Sequence, residues 1–541
     1  MADADVIVIG SGPSGAHAAK QAHDAGIRVV MLDYGNDAPE ARNAIPEGTF
    51  AELRRRDRGQ RAYFLGTGFS EELERNDRLG AHFTAPRAFV SADSARLLPV
   101  ASATFSPVQS LALGGLGAGW GAGAPTFERF ELEAVGLAPE TISRYYDDVV
   151  EDIGVSAARE DDTAESVVAS ALVQPPSDVD SNACSLLDAY RVRRDTLRDR
   201  GFALGRAPLA LLTRPIMRGG LERFANPYND MDFYGDARRS VYRPRYTVEE
   251  LRSSDRFRYI GGVLVQRFEE NEHGVRVVFV DRNGDRGSIT GRTLLLAAGA
   301  LNTARIVLRS RNLSGVKLPL LCNTMSFVAC VNRRMFGRPA RDRRHSLAQL
   351  MAVYTPPHRG GDRVVGAFYS YRSLLNYRLV KDMPLPVPLG LLATRLLLTS
   401  LTIVGVHHPE RPSADKWISL RPGTDILDAQ YEVSADERSA IAHDLAGFEG
   451  CLRDLGCVKL GQFPTPAGSS IHYAGTIPSR NDRAPLQSEG SGRLRGCERV
   501  FLADSSTWNA LPAKGLTLTL MANARRVASE AVAALRAGSI T

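Results

Sequence analysis

An α/β protein of two lobes is predicted by three observations. A β-branched strand, a glycine turn and a small-residue helix follow one another between Ala4 and Ala25. A strand runs into a glycine turn and a helix again between Ser288 and Ser310, so the chain returns to the same kind of unit after a long excursion. From Arg311 to Gly461 strand-like segments alternate with loops, and 541 residues are too many for one ordinary core.

The composition is that of a globular protein, with 44% apolar and 24% charged residues. The net charge of +6 comes from 61 Arg and 6 Lys against 61 acidic residues, with no dense basic run and no interleaved aromatics, which argues against nucleic-acid binding. The 6 cysteines contain no CxxC, so neither a zinc ribbon nor a dithiol centre is suggested, and free thiols in a reducing compartment are expected. The first apolar run, Val6 to Ile9, leaves no room ahead of it for a charged region and an apolar leader, which points to the cytoplasm. The segment Met383 to Val406 is broken by Pro384, Pro386, Pro388 and Arg395 and reads as a buried helix followed by a strand, or as an apolar lid, rather than a membrane span.

The first unit reads "DVIVIG", then "GSGPSG", then "AHAAKQAHDAG". Gly10 allows the tight turn, Gly12 lets backbone approach a pyrophosphate, and Gly15 permits close packing of helix on strand. Pro13 suits a first helical position, whose N–H is spare. A second strand, "IRVVMLDYG", ends in Asp33, the place for a carboxylate on an adenosine ribose. The strand context and the acidic end of the second strand point to a dinucleotide site rather than a structural glycine turn; the turn alone does not separate FAD from NAD.

Next comes Leu113 to Pro125, "LGGLGAGWGAGAP", whose 6 glycines can lie flat against a ligand around the single Trp120. Between Ala138 and Asp230 the pattern is mostly helical, with "PETISRYYDDVVEDIG" and "NACSLLDAYRVRRDTLRDRGF" as amphipathic candidates. The segments "VRVVFV" and "SITGRTLLLAAGA" flank "DRNGDRG", a hairpin signal, and the second leads back to the nucleotide sheet. Later, Ser434 is a plausible cap for a long helix with an acidic first turn. Near the end stand "IHYAGT" and "VFLADSSTWNALPAKGLTLTLMANARR", a histidine before a small-residue turn followed by strand, turn and helix.

In their order and spacing these stretches resemble the glucose-methanol-choline family of flavin oxidoreductases. "VIGSGPSG" with "VVMLDYG" is similar to its FAD-adenosine site, "LGGLGAGW" to its glycine loop under the flavin, and "LLLAAGALNTARIVLRS" to its second signature. "IHYAGT" is similar to its active-site histidine segment, and the final stretch to its last flavin-binding strand and helix. The resemblance implies a Rossmann-like FAD-binding domain assembled from residues 1–137, 236–310 and 462–541, with a variable flavin-covering excursion at 36–110. It also implies an α+β substrate domain on an antiparallel sheet, from residues 138–235 and 311–461.

Carried over, Gly10, Gly12, Ser14, Gly15 and Asp33 hold the adenosine diphosphate end of FAD, and Val265 lies on the strand beside the adenine. Gly114, Gly115 and Trp120 lie near the flavin, and Asp504 near the ribityl and pyrophosphate. Ala298 and Gly299 of the second signature, with Gly515, Leu516 and Thr517 at the last helix start, complete the expected cofactor contacts. The glycine loop has Gly117, Ala118 and Gly119 where some relatives carry a tethering histidine, so non-covalent FAD is expected.

His472 falls on the family's catalytic histidine, and an imidazole suits removal of a hydroxyl proton near neutrality. The family pairs it with a second His or an Asn, but Gly515 occupies that position here; Lys514 and Asn509 are the candidate replacements. His407 and His408 follow a strand-like segment and could face the pocket from the substrate sheet, with a surface or core role the first expectation for both; without a third ligand nearby they make no metal site. The implied activity is FAD-dependent oxidation of CH–OH to a carbonyl, on a sugar, amino sugar or polyol, with oxygen or another acceptor. A hydroxynitrile lyase or a non-catalytic flavin-binding protein are the alternatives.

Overall fold

The computed structural model describes residues 3–40, 44–65, 84–338, 343–370, 384–480 and 484–537. Residues 66–83 of the expected flavin-covering excursion, and Met383, lie outside them.

The elements that position the site follow in chain order: β1 (Ala4–Ile9), α1 (Pro13–Asp24), β2 (Val29–Leu32), α2 (Pro139–Ile153) and β3 (Phe202–Arg206). Then come β4 (Phe257–Ile260), β5 (Val263–Asn271), β6 (Gly274–Asp281), β7 (Arg286–Leu296), α3 (Ala300–Ser310), β8 (Met325–Asn332), β9 (Leu350–Tyr354) and β10 (Val364–Ser370). The last are α4 (Val387–Leu397), β11 (Leu401–His407), α5 (Ala435–Asp454), β12 (Cys457–Pro464), β13 (Val500–Leu502) and α6 (Thr517–Arg536).

A first sheet runs β4-β2-β1-β7-β13, all parallel. β1 and β2 are buried nearly throughout, which is why they read as unbroken apolar runs rather than alternating ones. β7 serves two sets of partners. Its residues 291–296 lie between β1 and β13, while residues 286–291 pair antiparallel with β6 across the turn 282–285, and β6 pairs on with β5. The strand and hairpin expected around "DRNGDRG" are therefore present.

Gly15 fixes the start of α1 against the end of β1. A Cβ there would fall 1.8 Å from the Gly10 carbonyl oxygen, and Gly10 itself turns the chain with φ of +94°. One face of α6, through Ala524, Val527, Ala528 and Ala531, packs in one core with Ala16, Ala18, Ala19 and Ala22 of α1. Small side chains on both allow the close approach.

The second sheet is antiparallel, in the order β12-β8-β11-β10-β9-β3. Alternation divides its faces. Val328, Cys330, Val404 and Val406 pack with Phe448, Leu445 and Leu452 of α5, whereas Met325, Phe327, Ala329, Ile403 and Gly405 face a cavity between the two sheets. α5 begins as its sequence indicates, with Ser434 and Glu437 exchanging reciprocal capping hydrogen bonds.

Three local expectations are corrected. β3 lies within the stretch read as mostly helical; five residues, "FALGR", are too short to declare a period, and pairing with β9 decides their conformation. The helix expected over "NACSLLDAYRVRRDTLRDRGF" breaks at Arg193 into Ser181–Val192 and Arg194–Asp199. Of the two readings of Met383 to Val406, the helix and following strand are present as α4 and β11, but α4 is not buried: Val387, Leu389, Leu392 and Leu396 are exposed, and Leu397 packs against Val331 and Leu401. Among the described residues no helix is long and apolar enough to cross a membrane.

Candidate active site

The cavity between the sheets has a volume of about 950 Å³ and reaches from the β1–α1 turn to the end of β11. At its nucleotide end Ser11 ties three motifs together. Its hydroxyl donates to Asp33 Oδ2 at 2.5 Å and accepts from the Gly114 amide at 2.9 Å. Tyr259, at the end of β4, donates a second hydrogen bond to the same carboxylate oxygen at 3.0 Å. Removal from water pushes the Asp33 carboxyl up to about 6, against the downward pull of Ser11 and Tyr259.

A ribose held by Asp33 requires an accepting carboxylate. Protonation below about pH 6 converts one oxygen to a donor, so cofactor affinity is expected to fall as pH drops through that value and to level off above it. Equilibrium dialysis against FAD across pH 5–8, with Asp33→Asn as the pH-insensitive control, measures this.

Three helix N-termini open on the cavity, at Ser14, Gly299 and Thr517. None has a capping hydrogen bond from its own cap side chain. The α1 N-terminus, whose cap Gly12 has no side chain to compete, is the one suited to a pyrophosphate. Asp504 braces one of them: Oδ2 accepts from the Gly299 amide at 2.9 Å and from Thr303 Oγ1 at 2.6 Å, while Oδ1 accepts from the Ser506 amide at 3.0 Å. Burial raises its pKa, and these donors oppose the rise.

Of the expected cofactor contacts, Gly10, Gly12, Ser14, Asp33, Gly115, Trp120, Val265, Ala298, Gly299, Asp504, Gly515, Leu516 and Thr517 line the cavity. Gly15 and Gly114 stand behind it, as the packing contact and the Ser11 partner already described. Trp120 is held by its indole N–H on the Tyr242 carbonyl at 2.8 Å. Gln109 Oε1 and Ser469 Oγ, both on the wall, are buried without a protein partner, as expected of groups that meet a polar ligand. The residues present thus fit a bound dinucleotide.

At the far end stands His472. The preceding Ile471 has φ of +62°, a rare and costly conformation for a β-branched residue that the surrounding contacts must offset at the turn presenting the imidazole. Nδ1 lies 2.9 Å from Asn323 Oδ1. The orientation of that amide is set, because Asn323 Nδ2 donates to the His408 carbonyl at 2.8 Å and the Pro512 carbonyl at 3.1 Å. Oδ1 can only accept, so Nδ1 carries the hydrogen and Nε2 keeps its lone pair. Burial lowers the His472 pKa to about 4, so the ring is neutral at pH 7.

Of two neighbours of this histidine, one was not anticipated from the sequence and the other only as an alternative. Asn323 sits in no recognisable local pattern. For His407 the pocket-facing alternative holds over the surface or core role: it ends β11 on the cavity face and stacks on His472 with centroids 5.3 Å apart and rings 26° from parallel. Its Nδ1 is buried without a partner, and burial holds its pKa well below the ordinary value, with His472 and His408 adding to the effect. The strand alternation of "LTIVGVH" carried the signal: residues 401, 403, 405 and 407 share one face. His408, turned the other way, has Nδ1 2.9 Å from Asp444 Oδ2.

Lys514 and Asn509 are not in the site. Lys514 is fully buried but directed away from the cavity, with Nζ 2.6 Å from Glu131, 3.0 Å from Glu128 and 2.5 Å from the Ser166 carbonyl. Asn509 accepts from the Arg480 amide and donates to the Val135 carbonyl and Ser479 hydroxyl, bracing two loops. Scarcity of lysine made Lys514 conspicuous, but a buried ammonium ion needs carboxylates first. Among the described residues no cluster of His, Cys, Asp or Glu is placed to hold a metal ion.

No family model and no curated protein sequence matches the chain. Solved structures do. Pyridoxine 4-oxidase from Mesorbium loti aligns over 97% of this chain and 99% of its own, with a TM-score of 0.59 and 14% identity. A formate oxidase variant of Aspergillus oryzae RIB40, described for the effect of mutation on FAD modification, aligns over 99% of both chains, with a TM-score of 0.61 and 12% identity. At such identities the likeness establishes the fold, and it extends over nearly the whole length of each chain. The architecture anticipated from the motifs is shared with two solved oxidases.

Proposed function

We propose that the chain oxidises a CH–OH group to a carbonyl with non-covalently bound FAD, and that His472 is the base. The observation that carries this reading is the Asn323-fixed tautomer of His472, which leaves an unprotonated Nε2 in a cavity whose other end is a dinucleotide cradle. FAD held there would supply the two-electron acceptor that alcohol oxidation requires. His472 Nε2 removes the hydroxyl proton, Asn323 holds the ring in the correct orientation, and His407 flanks the same oxygen in place of the family's usual partner. Gly10, Gly12, Ser14, Asp33 and Asp504 hold the cofactor's adenosine and pyrophosphate, and Gly115, Trp120 and Leu516 its ring. The two fold neighbours are named as oxidases, which favours oxygen as the final acceptor.

The test is the visible spectrum of the purified protein under anaerobic alcohol addition. A flavin band near roughly 450 nm that bleaches as carbonyl forms is the expected result. Carbonyl release without bleaching would instead identify a lyase, and a yellow protein inert to a broad alcohol panel would identify a binding protein.

A further inference from the structure

We propose that the alcohol is lipophilic, with its apolar body lying along the β8–β11 face of the antiparallel sheet; this names the substrate class for the oxidase reading above and rests on it. The cross-strand pairs on that face are Met325 with His407, Phe327 with Gly405, Ala329 with Ile403, and Val331 with Leu401. The first three pairs line the cavity and form one apolar stripe that starts at the two stacked histidines and runs roughly 13 Å, four residues at about 3.3 Å each, and the fourth pair closes it as a buried plug. Gly405 has no side chain to interrupt it. Met351, Val365 and Ala367 extend the floor on one side. On the other, Phe463 of β12 pairs with Phe327, lines the cavity and is 47% exposed, placing an aromatic ring at the rim. The plug lies beneath Leu397, on the helix whose remaining leucines are exposed, so an apolar surface lies beyond it.

The distribution of charge points the same way. Among the described residues lining the cavity, the carboxylates are Asp33 and Asp504 and the guanidinium groups are those of Arg305 and Arg309. All four belong to the first sheet and its connections. The cavity face of the second sheet offers no carboxylate, and Tyr369 is its one hydroxyl among those residues. An amino sugar's ammonium would find no counter-ion there. Most hydroxyls of a sugar or polyol would be stripped of water without replacement partners, which a binding site cannot compensate. The sugar, amino sugar or polyol expected from the sequence resemblance is replaced by this assignment.

Anaerobic calorimetric titration of the His472→Ala holoprotein, which keeps its flavin but lacks the base and so binds without turnover, with 1-butanol, 1-hexanol, 1-octanol, glucose, glucosamine and myo-inositol tests the assignment. Affinity is expected to tighten about fourfold per added methylene along the alkanol series, with no heat from the polyols. Ala329→Asp is expected to weaken 1-octanol binding at least about tenfold, and Ala367→Phe, which fills the floor without charge, to shorten the longest alcohol accepted. Unchanged flavin content and melting temperature verify that each variant is folded. Affinity independent of chain length, or binding of glucosamine in preference to octanol, overturns the proposal while leaving the oxidase reading intact. Absence of flavin, before or after reconstitution, overturns the oxidase reading instead, and the alkanol titration still scores the stripe.

Discussion

His472→Ala is expected to lower kcat/KM by about 10²- to 10⁴-fold, the usual contribution of a positioned general base, while the protein stays yellow. No cofactor-cradle hydrogen bond described above involves this side chain, so flavin content is the control that separates chemistry from binding. Asn323→Leu makes a second, more discriminating comparison. It removes the acceptor at 2.9 Å from Nδ1 and so frees the ring to adopt the other tautomer. A loss in kcat with KM little changed, and partial recovery in Asn323→Asp, is expected of a positioning residue. With FAD kept saturating at every pH, so that the Asp33 effect on cofactor affinity does not enter, the wild-type profile should hold its plateau through pH 6 and fall only towards the His472 pKa of about 4, because burial favours the neutral ring and the base is active when unprotonated. Stopped-flow bleaching across pH 4–8 measures it; a fall centred near 6.5 would show an exposed histidine and remove His472 from the role.

Lys514→Met is expected to have the opposite signature: stability lost by about 3–5 kcal/mol and the bleaching rate of the folded fraction retained. The substitution leaves Glu131, buried and 2.6 Å from the missing ammonium, without its counter-charge. Burial already raises the Glu131 pKa, and Lys514 is the main influence holding it down. Glu128 keeps a second partner in Arg363, at 2.9 Å, so the greater part of the loss falls on Glu131. Urea unfolding with flavin fluorescence as a second probe gives the number. A normal midpoint with slowed bleaching would return Lys514 to the active site.

The glycine-turn end of the cavity was legible because its physics is local. A glycine turn between a strand and a helix can be read from adjacent residues, and thirteen of the fifteen expected contacts line the cavity, with Gly15 and Gly114 immediately behind them. The catalytic surroundings were less so. Asn323 and His472 are 149 positions apart, and nothing in either neighbourhood announces the other. His407 was visible as a face residue of a strand, but which face meets the cavity depends on α5 covering the opposite one, a tertiary fact. The error over Lys514 had a similar origin: adjacency in sequence to a cavity residue, Gly515, does not fix the direction of a side chain. The exposed leucines of α4 show the converse, an apolar segment that composition alone assigns to the interior.

The dual pairing of β7 also bears on how the chain is made. β1 emerges early from the ribosome, but one of its lateral partners is β7, and the sheet is completed by β13 at residues 500–502. At about 5–20 residues per second the wait for β7 alone is on the order of tens of seconds. Throughout it an apolar strand edge stays unpaired, and the alanine face of α1 stays uncovered until α6 is complete. So high a contact order makes folding slow and exposes the nascent chain to aggregation. Chaperone supply and slowed translation at low temperature should therefore govern soluble yield, and truncations that remove α6 should fail to accumulate even though every cavity residue up to Leu516 is still encoded.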